Sequence, residues 1–142
     1  MAKVPFTIRE LQKASRSGNK AANSESRENH HLLLLFYAVE CGLKAVVLRR
    51  AGKTVIDQTI ASAFAHDING ILSDLRVSKD FFLPQNMSIE PIRDENGSTM
   101  QRQFTCGELN QVWRYGASMD EDTTRQVEGK LDSIMQWIQQ EF

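Results

Sequence analysis

The chain has little of what usually gives a function away. Its 142 residues hold two cysteines, Cys41 and Cys106, too few for a disulfide framework. Those thiols and the three histidines, at 30, 31 and 66, do not have the spacing of a four-ligand zinc cluster. No Gly-rich phosphate loop, Ser/His/Asp spacing or paired-carboxylate motif is present. No metal and no cofactor is therefore expected. A net charge of -1 excludes a uniformly basic, histone-like nucleic-acid binder. The opening MAKVPFTIRE has no apolar core of a signal peptide. One run, HLLLLFYAVECGLKAVVL, has the length of a membrane span, but Glu40 and Lys44 near its middle each oppose insertion by about 3 kcal/mol. A cytoplasmic protein with no membrane contact is expected.

What is present suits an ordinary globular domain. Hydrophobic residues make up 41% and charged residues 25% of the chain, enough for one domain spanning 1–142. The charge is unevenly spread. Residues 1–53 carry ten Lys and Arg against four Glu, a net of +6; residues 54–142 carry seven against fourteen, a net of -7. Either the two parts attract each other within the fold or a dimer, or a basic face stays free for an anionic partner.

Periodicity predicts helices for most of the chain. Thr7 with Glu10 forms a capping-box signature, so a first helix starts there. Arg9, Lys13, Arg16 and Lys20 fall within roughly 60° of one another on it. The opposite side, Ile8, Leu11, Ser15 and Gly18, is thin in apolar bulk and predicts weak docking, with fraying before Lys20. Residues 1–23 thus read as a basic helix and a polar connection. From about Ser24 to Ala51 apolar residues cover every side, which places this helix in the middle of the domain. Gly52 suits its C′ position. Ile56, Ile60, Phe64, Ile68, Ile71, Leu72 and Leu75 predict one kinked or two short helices over 54–76. Residues 84–104, with Asn96-Gly97 inside them, read as an irregular insert or β-hairpin in which Pro91 limits the first arm. A short helix from Thr105 to Gly116 follows. A second capping box, Ser118 with Glu121, opens a last helix with the stripe Val127, Leu131, Ile134, Ile138 and Phe142. The expected fold class is all-α, a bundle of four or five helices with the 84–104 insert.

Tyr37-Ala38-x-Glu40-x-x-x-Lys44-Ala45 in the apolar helix resembles the second-helix signature of HEPN domains. Ala65-His66-Asp67-Ile68 is similar to the His-Asp start of the next HEPN helix. Trp113-Arg114-Tyr115-Gly116 is similar to the Arg-Tyr element before the last one. The resemblance implies a small helical protein, commonly dimeric, of prokaryotic defence, toxin–antitoxin or nucleotidyltransferase-associated systems. Many HEPN proteins are metal-independent ribonucleases using an Arg shortly followed by a His. Here no His follows Arg114, and Arg27-x-x-x-His31 falls one residue short and precedes the wrong helix.

The candidate residues follow. Glu40 and Lys44, at i,i+4, read as a partly buried ion pair, with Arg114 as a further partner, or as a charge pair exposed in a cleft. His66 reads as a local cap or turn residue, or as a general base. Arg114, Tyr115 and Trp113 read as a structural Arg beside a core Trp, or as a phosphate and base contact. His30 and His31 read as a solvated helix start, and both cysteines as buried small residues. The basic stripe Arg9, Lys13, Arg16 and Lys20 is the candidate binding surface. Its internal counterpart is Asp120, Glu121, Asp122, Glu128 and Asp132; external ones are an acidic protein, RNA or DNA. The reading that follows is a non-catalytic HEPN-like interaction subunit with a protein partner from an adjacent gene. The alternatives are a ribonuclease with displaced residues drawn from His66, Arg114 and Arg27, and a nucleotide-binding regulatory subunit. A homodimer is expected, because a helix apolar on all sides needs more cover than the first helix offers.

Overall fold

In the computed structural model, residues 5–56 and 65–142 are described. The elements are β1 (Phe6–Thr7), α1 (Ile8–Ala22), α2 (Asn29–Arg50), β2 (Val55–Ile56), α3 (Ile68–Asp74), β3 (Met87–Arg93), β4 (Thr99–Phe104), α4 (Leu109–Arg114) and α5 (Glu121–Glu141). The expected Ile60 and Phe64 lie outside the described residues.

Helix α2 is the axle. Leu35, Phe36, Val39, Leu43 and Leu48 are fully buried along it, and α1, α3, α4 and α5 pack around it. It is also the one described helix long and apolar enough to cross a bilayer, and most of that stretch is covered by protein. The cover comes from the same chain: only Leu34 among its large apolar residues stays exposed, at 38%. Among the described residues α2 therefore leaves no broad apolar side that calls for a second subunit. Gly52 stands at C′ with φ +69, as expected.

Helix α1 departs from expectation. It runs to Ala22 instead of fraying before Lys20, because it docks by close approach rather than by bulk. A Cβ on Gly18 would lie 3.0 Å from Ala38 Cβ, and one on Gly42 would lie 2.7 Å from Ser15 Oγ and 2.8 Å from Ile138 Cγ2. The buried Ser15 hydroxyl donates to the Ala38 carbonyl at 2.7 Å. The predicted Thr7–Glu10 capping box is formed.

The fold class needs correction. The protein is mostly helical but mixed, carrying two antiparallel two-stranded sheets besides its five described α-helices. β1 pairs with β2, Phe6 opposite Ile56, across almost fifty residues, a contact that two-residue strands do not announce. β3 and β4 form a true hairpin in 84–104. Asp94 organises its turn by accepting from the Asn96 and Ser98 N–H groups, each at 2.9 Å, and Gly97 takes φ +79. Pro91 is accommodated where β3 bulges between Ile89 and Ile92.

Helix α5 buries Val127, Leu131, Ile134 and Ile138 completely, as its stripe predicts. Its cap is Asp120, not Ser118. The Asp120 carboxylate accepts from Thr123 N–H at 2.7 Å, and a charge at the positive helix end outcompetes a hydroxyl two residues earlier.

Candidate functional site

A polar cluster forms where α2 meets the start of α3. Glu40 is 7% exposed and accepts at both carboxylate oxygens. Lys44 Nζ donates to Oε2 at 3.0 Å, one helical turn away as predicted. His66 Nδ1 lies 2.7 Å from Oε1. An ionised carboxylate only accepts, so Nδ1 carries the proton and Nε2 faces away with its lone pair when the ring is neutral. The side chain of His66 is 44% exposed. His66 is thus not the helix cap. Asp67 takes that role, accepting from Gly70 N–H at 3.1 Å, in space that a Cβ on Gly70 would occupy, 2.6 Å from Asp67 Oδ2. Ala65, at φ +45, turns the chain so that His66 meets α2 while Asp67 caps α3.

Arg114 does not join Glu40. Its Nη2 donates to the Tyr37 hydroxyl at 2.8 Å, and the Tyr37 ring centroid stands 6.0 Å from that of His66. Asn110, 2% exposed, donates to the same hydroxyl at a long 3.4 Å and leaves its Oδ1 unpartnered. Trp113 is in the core at 4% exposure, whereas Tyr115 projects at 75% and stands outside the cluster. Asn69, unremarked in the sequence, exchanges two 2.8 Å hydrogen bonds with the backbone of Leu83 and ties α3 to the segment before the hairpin. A lone amide inside an apolar helical run was its only signal.

Arg27 is committed to structure. It donates to the Ala22 carbonyl at 2.9 Å, to Glu128 at 3.1 Å and to Asp132 at 2.8 Å. The Asp132 hydrogen bond leads the causes that hold its guanidinium above the ordinary value, against the opposing effect of burial. Two of the five carboxylates expected to face the basic stripe, Glu128 and Asp132, are therefore used by a different cation. His30 is exposed, and His31 Nδ1 accepts from Glu28 N–H at 3.1 Å, a local start to α2.

Neither thiol has the setting of a nucleophile. Burial pushes Cys106 up to about 11, helped by its 3.3 Å hydrogen bond to Asp67, and burial also raises Cys41. Among the described residues no group of three His, Cys, Asp or Glu could hold a metal ion.

The second polar feature is the outer face of α1. Arg9, Lys13, Arg16 and Lys20 are all exposed, and among the described residues none forms an ion pair. Arg16 lies 5.2 Å from the centroid of the Phe142 ring. Four cations remain together on a helix whose opposite side is locked to the core. Comparison with family models, curated proteins and solved structures finds no match to this chain.

Proposed function

We propose that this protein is a HEPN-like, non-catalytic interaction subunit of a bacterial defence or toxin–antitoxin-type system. It works in the cytoplasm and docks an acidic protein partner, encoded nearby, on the outer face of α1. The observation that carries this reading is the contrast among the cations. Arg27, Lys44 and Arg114 are bound to groups of their own chain, while Arg9, Lys13, Arg16 and Lys20 have no carboxylate among the described residues. Like charges at i,i+4 repel by a few tenths of a kcal/mol per pair, so α1 gains nothing from this arrangement by itself. An acidic surface offsets that repulsion. Four charges are few for a nucleic-acid footprint, which favours a protein over RNA or DNA.

The reversal Arg9→Glu with Lys13→Glu tests it. Both positions avoid the Phe142 contact of Arg16, and Arg9 sits in the first turn, where an anion suits the helix dipole. Binding to the partner, co-expressed from the adjacent gene and measured by calorimetry, is expected to be lost while the melting temperature stays put. Salt-sensitive binding of a generic RNA at physiological ionic strength, lost in the same variant, overturns the protein reading.

The ribonuclease alternative has one observation in its favour: Tyr37 touches Arg114 and stands beside His66, which brings two of the three displaced candidates to one place. RNA cleavage without metal, abolished by His66→Ala, would establish it. A nucleotide carried through purification would point instead to the regulatory-subunit alternative.

A further inference from the structure

The hairpin has an apolar face that outlasts the core. The cross-strand pairs Met87–Phe104, Ile89–Arg102 and Ile92–Met100 share one side of it. That side begins buried at Met87 and is partly covered at Ile89 and Phe104. It then runs out into solvent at Ile92 and Met100, 43% and 49% exposed.

The two edges of the hairpin differ in kind. β3 is blunted: Pro91 has no N–H, the bulge puts its extra residue in this strand, and Glu90 and Arg93 flank it. β4, Thr-Met-Gln-Arg-Gln-Phe, has no proline and no extra residue. Its one charge, Arg102, is folded back across the hairpin to the Glu90 carbonyl at 2.7 Å and does not guard the edge. Among the described residues no strand pairs with the outer side of β4.

We propose that this open edge pairs antiparallel with β4 of a second copy, about a two-fold axis at Gln101, giving a four-stranded sheet. Parity requires a residue-centred axis, and centring on Gln101 or Arg102 overlaps β4, Thr99–Phe104, most fully. Gln101 opposite its own counterpart sets Met100 opposite the partner's Arg102 and keeps both apolar faces on one side, so the two Ile92–Met100 overhangs join. A one-residue slip sends them to opposite sides. A centre at Arg102 would place two arginines directly across from each other. A second copy fits better than a foreign strand, because one usable edge per chain makes the assembly close at two instead of growing. This surface is separate from α1, so the two readings stand or fall independently.

Light scattering at micromolar concentration should give twice the 16.1 kDa chain mass. Met100→Lys, which puts a charge on the joined face, should return a single-chain mass with an unchanged circular dichroism spectrum. Arg9→Glu with Lys13→Glu should leave the doubled mass intact. Under mild oxidation Gln101→Cys should cross-link to a covalent dimer, and Ser88→Cys on the blunted strand should not, with the wild type as background for its own two thiols. A single-chain mass for the wild type, a doubled mass that survives Met100→Lys, or equal cross-linking of the two cysteine variants overturns the proposal.

Discussion

Arg27 and the α1 stripe are neighbours in the basic part of the chain, yet the fold treats them in opposite ways. Arg27, whose side chain is 11% exposed, closes two ion pairs to α5 and one hydrogen bond to the end of α1. Arg9, Lys13, Arg16 and Lys20 are exposed and form no ion pair among the described residues, and Arg16 lies over the Phe142 ring. A net of +6 over residues 1–53 therefore says nothing about which cation is structural. Position relative to the packed faces decides that, and the unspent charge is what makes α1 a candidate docking surface.

The comparison can be pressed by removing tied and untied charges in turn. The largest effect belongs to the most buried anion. Glu40→Ala strands Lys44 and frees His66, and is expected to cost about 3 kcal/mol in denaturant unfolding. A mutant that melts like the parent but loses a partner would transfer the α2 cluster from the structural class to the functional one. Arg27→Ala comes next. Its carboxylate partners are 31% and 43% exposed, so the loss falls at the low end for charge-assisted bonds, about 1.5 kcal/mol, read as a lower denaturation midpoint.

Acid gives a smaller and more local effect. The Thr123 N–H bond holds the Asp120 carboxyl below its usual range. A lowered folded-state value means its contribution is complete above the unfolded pKa, about 4, and disappears as pH falls through the folded one. Protection of the first-turn amides of α5, taken relative to their intrinsic exchange, should fall as pH drops through that folded value, and Asp120→Asn should remove this effect. The smallest change is expected for Arg9→Glu with Lys13→Glu, within about 0.5 kcal/mol in stability, since exposed charges contribute little. A larger loss would show that the stripe is an internal contact after all.

The hairpin and the capping of α5 show how legibility fades with competition and distance. Asn96-Gly97 marked the turn, but the same segment admitted an irregular insert, and an all-α expectation absorbed it. The expected cap of α5 was Ser118, and the observed bond to Thr123 N–H gives that role to Asp120. Of the α2 cluster, the Glu40–Lys44 pair was legible because i,i+4 spacing is a property of the helix itself. The His66 contact was not, because it spans 26 residues and depends on how the chain turns at Ala65. Arg114 was placed beside Glu40 by its charge, and its actual partner is the neutral Tyr37 hydroxyl.

The sequence by itself determined α2 as a long apolar helix, the apolar stripe of α5, the Thr7 capping box, the end of α2 at Gly52 and the basic line along α1. All of these rest on interactions within one or two turns, which the order of residues specifies directly. Only the tertiary structure decided that Arg27 is neutralised by Glu128 and Asp132, that Gly18 and Gly42 let α1 lie close enough to hold, and that β1 pairs with β2. Each of those joins residues remote in sequence. The energy of such a contact depends on the geometry that packing creates, and no local pattern encodes it.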